Sequence, residues 1–153
     1  MESKRLELTY TSYANFNELP TFWQELIKQA EDALPRAYAP YSKFHVGAAV
    51  KLSNGETITG TNQENAAYPS GLCAERTAIL YALSQYPDAK IEGLAVITSV
   101  KDKLCAPCGG CRQVMMDTEL NRTGPYPIIF PGENGNWLLF QSVKDIFPFS
   151  FNL

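Results

Sequence analysis

The chain has 153 residues, a formal net charge of −3 and 45% hydrophobic residues, which is enough apolar material for one buried core and argues against intrinsic disorder. Its 13 Lys and Arg residues are scattered and form no basic cluster. This distribution argues against binding to long nucleic acid and favours a small-molecule partner.

The N-terminal part of the chain is predicted to form an arm followed by a helix. Residues 1–20 carry alternating apolar residues and end at a proline, which predicts an extended arm in front of a single domain over residues 21–153. Apolar residues then recur at helical spacing, with Thr21 as the predicted N-cap and Gln24 three residues later, as in a capping box. This pattern predicts a helix that ends before Pro35.

The rest of the chain alternates strand and helix signals. Asn54-Gly55 separates two strand-like runs, 46–52 and 56–60, and predicts a hairpin. Further elements are predicted downstream, with helices at 73–83 and 109–120 and strands at 91–100, 126–130 and 137–141. This order predicts an α/β fold, a three-layer α/β/α sandwich with a mixed sheet of about five strands.

Three cysteines and one glutamate form the most specific chemical pattern. Cys73 lies two residues before Glu75, and Pro107-Cys108-Gly109-Gly110-Cys111 begins the next predicted helix. A catalytic zinc site takes three protein ligands and leaves the fourth tetrahedral position to a water, so Cys73, Cys108 and Cys111 are predicted to hold one zinc ion. Glu75 is predicted to face that water as the catalytic residue, without binding the metal. C-x-E followed by P-C-x-x-C resembles the signature of the zinc deaminases.

The predicted site needs a counter-charge, because three thiolates on Zn²⁺ leave a net negative centre. Helix N-termini at Cys73 and Cys108, together with Arg76 on the same helix face as Cys73, are predicted to supply it. Cys105 offers a fourth sulfur, and a closed site of four cysteines would abolish hydrolysis. Because Cys105 precedes the break at Pro107, an ordinary thiol is the favoured interpretation.

Cysteine usage and hydropathy also bear on the compartment. Four cysteines could form two disulfides in a secreted protein, but no export signal is visible and their clustering favours metal. No run approaches the roughly 20 apolar residues of a membrane span, so we expect a cytoplasmic protein without a membrane partner. His45, the single histidine, lies in a strand pattern and is interpreted as a core or surface residue, not a ligand.

Five segments between residues 37 and 151 carry a family resemblance. They are Ala39-Pro40-Tyr41-Ser42, Phe44-His45-Val46-Gly47-Ala48-Ala49, Asn62-Gln63-Glu64-Asn65-Ala66, Cys73-Ala74-Glu75-Arg76-Thr77-Ala78 and Pro107-Cys108-Gly109-Gly110-Cys111-Arg112-Gln113-Val114. Together they resemble the cytidine deaminase family, in particular its small homotetrameric branch. The resemblance implies one Zn²⁺ per subunit, a homotetramer, and hydrolysis of cytidine and 2′-deoxycytidine to uridine, 2′-deoxyuridine and ammonia in pyrimidine salvage.

The resemblance also assigns residues to the substrate. Asn62 and Glu64 match residues that bind ribose hydroxyls, and strand alternation would place both on one face, although they could be a solvated strand end. Phe44 matches an aromatic residue that packs on the pyrimidine, and on physical grounds alone it could equally be core. Ala74, in the quoted segment 73–78, is also expected to bind the substrate.

The last assignments concern neighbouring subunits. The apolar tail 146–151 is expected to dock on its own core or on a neighbour. In the family an aromatic residue of the tail reaches an adjacent subunit's active site, and Phe151 is the matching position; Tyr41 matches a residue at the subunit junction. The arm 1–20, Cys105, and His45 in place of a frequent proline depart from the family pattern.

The expected reaction uses Glu75 as a proton carrier. It carries a proton from the attacking water to N3 of cytosine while the water oxygen attacks C4. It then shuttles a proton to the exocyclic amine, which leaves as ammonia. Because the Glu64 carboxylate would repel a 5′-phosphate, a nucleoside is expected in preference to a nucleotide. Two alternatives stay open: a deaminase of another aminated base, such as guanine or a blasticidin-like nucleoside, and a non-catalytic zinc module.

Overall fold

The apolar and β-branched runs of the chain form six strands in the computed structural model, which describes residues 1–152. The strands are β1 (Thr11–Tyr13), β2 (Val46–Leu52), β3 (Thr57–Thr61), β4 (Ile91–Thr98), β5 (Ile128–Pro131) and β6 (Trp137–Phe140). Three α-helices accompany them, α1 (Thr21–Ala33), α2 (Ala74–Gln85) and α3 (Gly109–Thr118). Within residues 1–152, no helix combines the length and the apolar character that a bilayer crossing requires.

The six strands form one mixed sheet in the order β1-β6-β5-β4-β2-β3. Only β4 and β5 pair in parallel, and the other neighbours are antiparallel. The predicted α/β sandwich is confirmed, but the sheet has six strands and not five. The additional strand is β1, in which Thr11 pairs with Leu139 and Tyr13 with Trp137, and it lies inside the segment predicted as an arm. A three-residue edge strand is too short to show a periodic pattern.

The helices cover the two faces of the sheet. On one face α1 packs Ile27 against Ala49 of β2. On the opposite face α2 and α3 pack Ile79 and Met115 around Val50, the next residue of the same strand. Successive side chains of a strand point to opposite faces, so an almost continuous apolar run serves both layers. Because α2 and α3 share one face, their N-terminal ends can meet.

The start of α1 differs from the predicted capping box. The N-cap position is occupied by Pro20, no side chain caps the helix, and Thr21 is its first residue. The carbonyl of Pro20 already accepts hydrogen bonds from the N–H groups of Trp23 and Gln24, at 2.9 and 3.2 Å. The Gln24 side chain instead donates to the carbonyl of Leu19 at 2.7 Å. The predicted end of the helix before Pro35 agrees with the observed end at Ala33.

A glycine allows α2 to approach β3 closely. A Cβ atom at Gly60 would lie 2.5 Å from the amide nitrogen of Ala78 and 2.7 Å from the carbonyl oxygen of Ala74. Both atoms belong to the helix backbone and cannot move aside without shifting the helix. The absence of a side chain at Gly60 therefore sets the distance between the first turn of α2 and the end of β3.

Replacing Gly60 by Ala is expected to lower the Tm by about 3–10 °C, because overpacking against backbone atoms costs roughly 1–3 kcal/mol in a chain of this size. The measurement is thermal unfolding followed by circular dichroism. Gly109→Ala serves as the control, since a Cβ there meets no atom within 4 Å. Equal Tm values for the two variants would contradict the steric argument.

Candidate metal centre and active site

The N-terminal ends of α2 and α3 bring three cysteines together. Cys73 occupies the N-cap position of α2, Cys108 that of α3, and Cys111 lies in the first turn of α3. The Cys73 and Cys108 Sγ atoms are 3.9 Å apart, although these residues are 35 positions apart in the chain. The Cys108 and Cys111 Sγ atoms are 3.5 Å apart. Adjacent helix starts on one face of the sheet therefore gather the predicted ligands.

The sulfur cluster fits a zinc ion. All three Sγ atoms lie within 4.8 Å of one another. Tetrahedral Zn–S bonds of about 2.3 Å would place sulfurs about 3.8 Å apart, close to the separations observed for two of the pairs. Cys105 does not belong to the cluster. Three sulfur donors, and not four, are thus in position to hold the metal, which leaves a coordination position for water.

Positive groups surround the cysteine at the start of α2. The Arg76 guanidinium lies 3.9 Å from the Cys73 Sγ and also donates to the carbonyl of Gly71 at 3.1 Å. A hydrogen bond from the Cys111 thiol, assisted by Arg76, lowers the pKa of Cys73 to about 5. The unpaired N–H groups at the start of α2 act in the same direction. Arg76 is therefore placed where the sequence pattern predicted a counter-charge.

Glu75 lies beside the metal cluster in a buried position. Its side chain is 4% exposed, and burial raises the pKa of this carboxyl above its usual range. Glu75 lines a cavity of about 230 Å³ together with two of the cysteines, Cys73 and Cys108. A buried carboxyl group next to a metal site is suited to accept and release a proton near neutral pH.

The same cavity contains three residues that the family resemblance assigned to the substrate. Phe44, Asn62 and Glu64 all line it. Asn62 and Glu64 lie beyond the end of β3 at Thr61, but the chain there still pairs like a strand, because Gln63 between them forms bridges with Tyr38 and Leu72. Asn62 and Glu64 line the same cavity, as the predicted alternation requires. The cavity is lined by Ser42, Phe44, Val46, Asn62, Glu64, Cys73, Glu75, Val96, Thr98, Cys105, Ala106 and Cys108.

The Asn62 amide connects the cavity to the start of β2. Its oxygen accepts a hydrogen bond from the N–H of Val46, and its nitrogen donates to the carbonyl of Phe44, both at 2.8 Å. Because an amide oxygen has a second lone pair and the nitrogen a second hydrogen, Asn62 keeps capacity for one more partner on each atom. These two bonds also fix the backbone on either side of His45.

Glu64 organises the loop that carries Tyr41 and Phe44. Its carboxylate accepts the N–H groups of Tyr41 and Ser42 at 2.9 and 3.2 Å and a further hydrogen bond from the Ser42 hydroxyl. The Ser42 hydroxyl in turn accepts the N–H of Phe44 at 3.0 Å. The Ser42 hydroxyl holds the pKa of Glu64 below its usual range, and the two N–H groups act in the same direction. Ser42 thereby joins Glu64 to the aromatic residue of the cavity.

Replacing Ser42 by Ala is expected to raise the KM for a substrate bound in this cavity about tenfold at neutral pH, because the hydroxyl's hydrogen bonds to Glu64 and Phe44 are both lost. The pKa of Glu64 should rise, so the ionised carboxylate should be lost at a higher pH as the solution is acidified. The measurement is KM as a function of pH. Ser53→Ala removes a hydroxyl that accepts the N–H of Lys90 far from the cavity and serves as control. Identical pH profiles for both variants would exclude the role of Ser42.

An outer cleft of about 480 Å³ adjoins the inner cavity and shares Ser42, Asn62, Glu64 and Cys73 with it. Tyr41 lies in this outer cleft with its ring 6.0 Å from that of Tyr68, in an edge arrangement. The Tyr41 side chain is exposed. The cleft forms the mouth of the cavity, and two tyrosines border it.

Two predicted site residues do not contribute a side chain to these cavities. Ala74 is fully buried and can take part only through its backbone. Phe151 is 69% exposed and lines neither cavity of its own chain. His45 lies before β2, where its backbone pairs with Ser99, and it is not part of the metal cluster.

Several lining residues were not singled out from the sequence. Thr98 and Val96 lie in the last part of β4. Ser42 ends the quoted family segment 39–42, but no role was assigned to it. Tyr68 belongs to a short turn without a distinctive pattern, so its place at the mouth had no signal in the sequence.

Comparison with known proteins identifies the family. Residues 20–124 match the family model described as the cytidine and deoxycytidylate deaminase zinc-binding region. Cytidine deaminase from Halalkalibacterium halodurans is 46% identical over 94 residues, covering 61% of this chain and 70% of that protein. Cytidine deaminase from Sporosarcina psychrophila is 42% identical over 94 residues, covering 61% and 68%.

Solved structures show the same similarity. Cytidine deaminase from Burkholderia pseudomallei superposes with a TM-score of 0.71 at 36% identity, covering 83% of this chain and 97% of that one. Cytidine deaminase from Mycobacterium tuberculosis gives a TM-score of 0.68 at 30% identity, covering 88% and 100%. With its three clustered cysteines and the matching family model, the chain belongs to the cytidine and deoxycytidylate deaminase family.

Proposed function

We propose that the chain is a zinc-dependent hydrolase that deaminates cytidine and 2′-deoxycytidine to uridine and 2′-deoxyuridine with release of ammonia. One observation carries this proposal. A buried carboxyl, Glu75, and a cluster of three cysteines face one cavity of about 230 Å³. The chain binds one zinc ion per subunit through Cys73, Cys108 and Cys111. When bound, the zinc supplies Lewis-acid activation of a water molecule.

Glu75 carries the protons of the reaction. Its carboxylate accepts a proton from the attacking water and donates it to N3 of the cytosine ring as C4 is attacked. It then takes the remaining proton of the hydroxyl group added at C4 and delivers it to the exocyclic nitrogen; the C4–N bond breaks, the C4 carbonyl forms, and ammonia leaves. Burial supports both steps, because the raised pKa of Glu75 brings proton uptake and release closer to neutral pH.

The cavity wall accounts for the choice of a nucleoside. Phe44 is proposed to pack on the pyrimidine ring, and Asn62 and Glu64 to bind the ribose hydroxyls. Ala74 is proposed to bind substrate through its backbone at the start of α2. The Glu64 carboxyl, whose pKa lies below its usual range, is ionised at neutral pH as an ordinary glutamate would be, and an ionised carboxylate beside the sugar disfavours a 5′-phosphate.

We further propose a homotetramer in which each site is completed by neighbours. Tyr41 is exposed at the mouth of the site, and Phe151 is exposed on the tail and unused by its own chain. Exposed aromatic rings of this size are typical of surfaces that are covered by a partner. Residues 21–153 are proposed as the single deaminase domain, with residues 1–20 as an arm whose last part pairs with β6.

We place the reaction in pyrimidine salvage and in the cytoplasm. The proposed substrate is a free nucleoside, which is the form that salvage recovers. A site of three thiolates requires reduced cysteines, and the cytoplasm keeps thiols reduced. The four cysteines are free in the structure, which agrees with a reducing compartment.

The proposed function is tested by an ultraviolet assay of nucleoside loss, with ammonia and zinc measured in the same sample. Cytidine and 2′-deoxycytidine should each release one ammonia per molecule, and cytidine 5′-monophosphate, guanine and an aminonucleoside antibiotic should stay intact. Full zinc occupancy without ammonia from any compound would favour a non-catalytic zinc module. Conversion of guanine or the antibiotic alone would indicate a deaminase that acts on another aminated base.

A further inference from the structure

We propose that Gln113 is a positioning residue that anchors the C-terminal tail, so that the ring of Phe151, and not that of Phe149, is presented at a fixed place to a neighbouring subunit. This inference rests on the proposed function, because the presented ring serves a neighbour's deaminase site. It assigns a task to a residue that follows the zinc-binding motif and that the reaction itself does not use.

The anchoring contact is a two-point pairing between a side chain and the main chain. The Gln113 Nε2 atom donates to the carbonyl oxygen of Phe151 at 2.9 Å, and the Oε1 atom accepts the N–H of Phe151 at 3.0 Å. A primary amide thus meets both hydrogen-bonding groups of one residue, as a neighbouring strand would. Two bonds to one residue fix the position of its backbone, and with it the direction of the Cα–Cβ bond, which one bond would not.

The rest of the tail is held from the same helix. Arg112, the preceding residue of α3, donates to the carbonyl of Ile146 at 3.1 Å and to that of Pro107, in the zinc-binding loop, at 2.7 Å. Ile146 and Phe147 pack partly buried against the core. Arg112 therefore holds the start of the tail and Gln113 its end, and both follow the ligand Cys111 directly.

Two of the three aromatic residues of the tail, Phe149 and Phe151, are exposed, and their backbone contacts distinguish them. Phe149 is 84% exposed and Phe151 69% exposed, so neither ring is used to build the core of its own chain. The backbone of Phe151 is pinned by Gln113, whereas the side chains of α3 make no such paired contact to Phe149 among the hydrogen bonds of residues 1–152. A residue whose backbone is already held loses less conformational entropy when its ring binds a partner. This favours Phe151 as the residue presented.

Gln113→Ala tests the inference, with Gln113→Glu as a second variant that keeps an acceptor for the Phe151 N–H but sets a carboxylate oxygen against the Phe151 carbonyl oxygen. We expect kcat/KM for cytidine to fall about tenfold for Gln113→Ala, the effect of two solvent-accessible hydrogen bonds, and at least as much for Gln113→Glu, because the two oxygens repel each other. Zinc content and Tm should stay at wild-type values. Gln85→Ala, at an exposed helical glutamine outside the site, is the control and should be unchanged.

Two further measurements separate positioning from a general structural effect. In a double-mutant cycle, Gln113→Ala should add no further loss to Phe151→Ala, because both act through one ring. In hydrogen exchange, the Phe151 amide should exchange faster in Gln113→Ala, while the core strand β4 keeps its protection. Additive kinetic losses, or an unchanged Phe151 amide, would overturn the inference.

The outcomes also separate this inference from the proposed function. A wild-type chain that leaves cytidine intact contradicts both proposals. A wild-type chain that deaminates cytidine, beside a Gln113→Ala variant with unchanged kcat/KM, contradicts the role of Gln113 alone. A loss in Gln113→Ala that disappears in the Phe151→Ala background supports it.

Discussion

Replacing Glu75 by Gln is expected to lower kcat for cytidine about a thousandfold, the middle of the range for a lost general acid–base group. Glu75 is buried beside Cys73 and Cys108 in the cavity proposed for the substrate, and the amide cannot carry a proton between water and base. Gln has nearly the same shape, so the fold and the zinc content should be retained. The ultraviolet assay and atomic emission of zinc measure both quantities.

Glu119→Gln provides a matched control for this prediction. Glu119 is as buried as Glu75, but its carboxylate accepts hydrogen bonds from the Ser142 hydroxyl and, at 2.8 Å, from the N–H of Val143. Placing an amide donor against these donors should lower the Tm and leave kcat unchanged. If Glu75→Gln retained near-normal turnover with zinc bound, the assignment of Glu75 as the proton carrier would be wrong.

Replacing Cys108 by Ser is expected to weaken zinc binding more than a hundredfold, because even a lost hydrogen bond to a metal ligand costs about 10–100-fold. The Cys108 Sγ atom is 3.9 Å from that of Cys73 and 3.5 Å from that of Cys111. Its loss leaves only two sulfur donors, so deamination of cytidine should become undetectable at ordinary zinc concentrations. Zinc titration with a chromogenic chelator measures the affinity.

Cys105→Ser is the matched control for the zinc prediction. Cys105 lines the cavity but is not part of the cluster, so this variant should bind one zinc ion per chain. Removal of zinc by a chelator should abolish activity in wild type and in Cys105→Ser alike, and added zinc should restore it. Loss of zinc from Cys105→Ser would indicate a closed site of four cysteines and would argue against hydrolysis.

The helices and strands that could be predicted are those whose formation depends on residues close together in the sequence. The Asn54-Gly55 turn marked the hairpin, and β2 has the predicted limits, Val46–Leu52. The helix predicted at 109–120 is observed as α3 followed by a π-turn at Glu119–Thr123. The edge strand β1 was not predicted, because its three residues gain stability only from pairing with β6 at the other end of the chain.

The candidate site divides in the same way. The sequence was sufficient to find the metal ligands and the catalytic carboxyl, Cys73, Cys108, Cys111 and Glu75. A metal site needs particular ligand atoms at short sequence spacings, and these spacings can be read directly from the sequence. The strand argument placed Asn62 and Glu64 on one face, and both line the same cavity, although they lie beyond the end of β3 on either side of the bridged residue Gln63. Their positions depend on hydrogen bonds to Phe44, Val46, Tyr41 and Ser42, which lie 16 to 23 residues away.

The sequence by itself determined the chemistry of this protein, namely a thiolate zinc site, a carboxyl group beside it, and an α/β fold to hold them. Only the tertiary structure decided that Ser42 joins Glu64 to Phe44 and that Gln113 pins the tail at Phe151. The reason is physical. Ligand type and helix or strand periodicity are properties of neighbouring residues, whereas a cavity wall is built from hydrogen bonds between residues far apart in the chain.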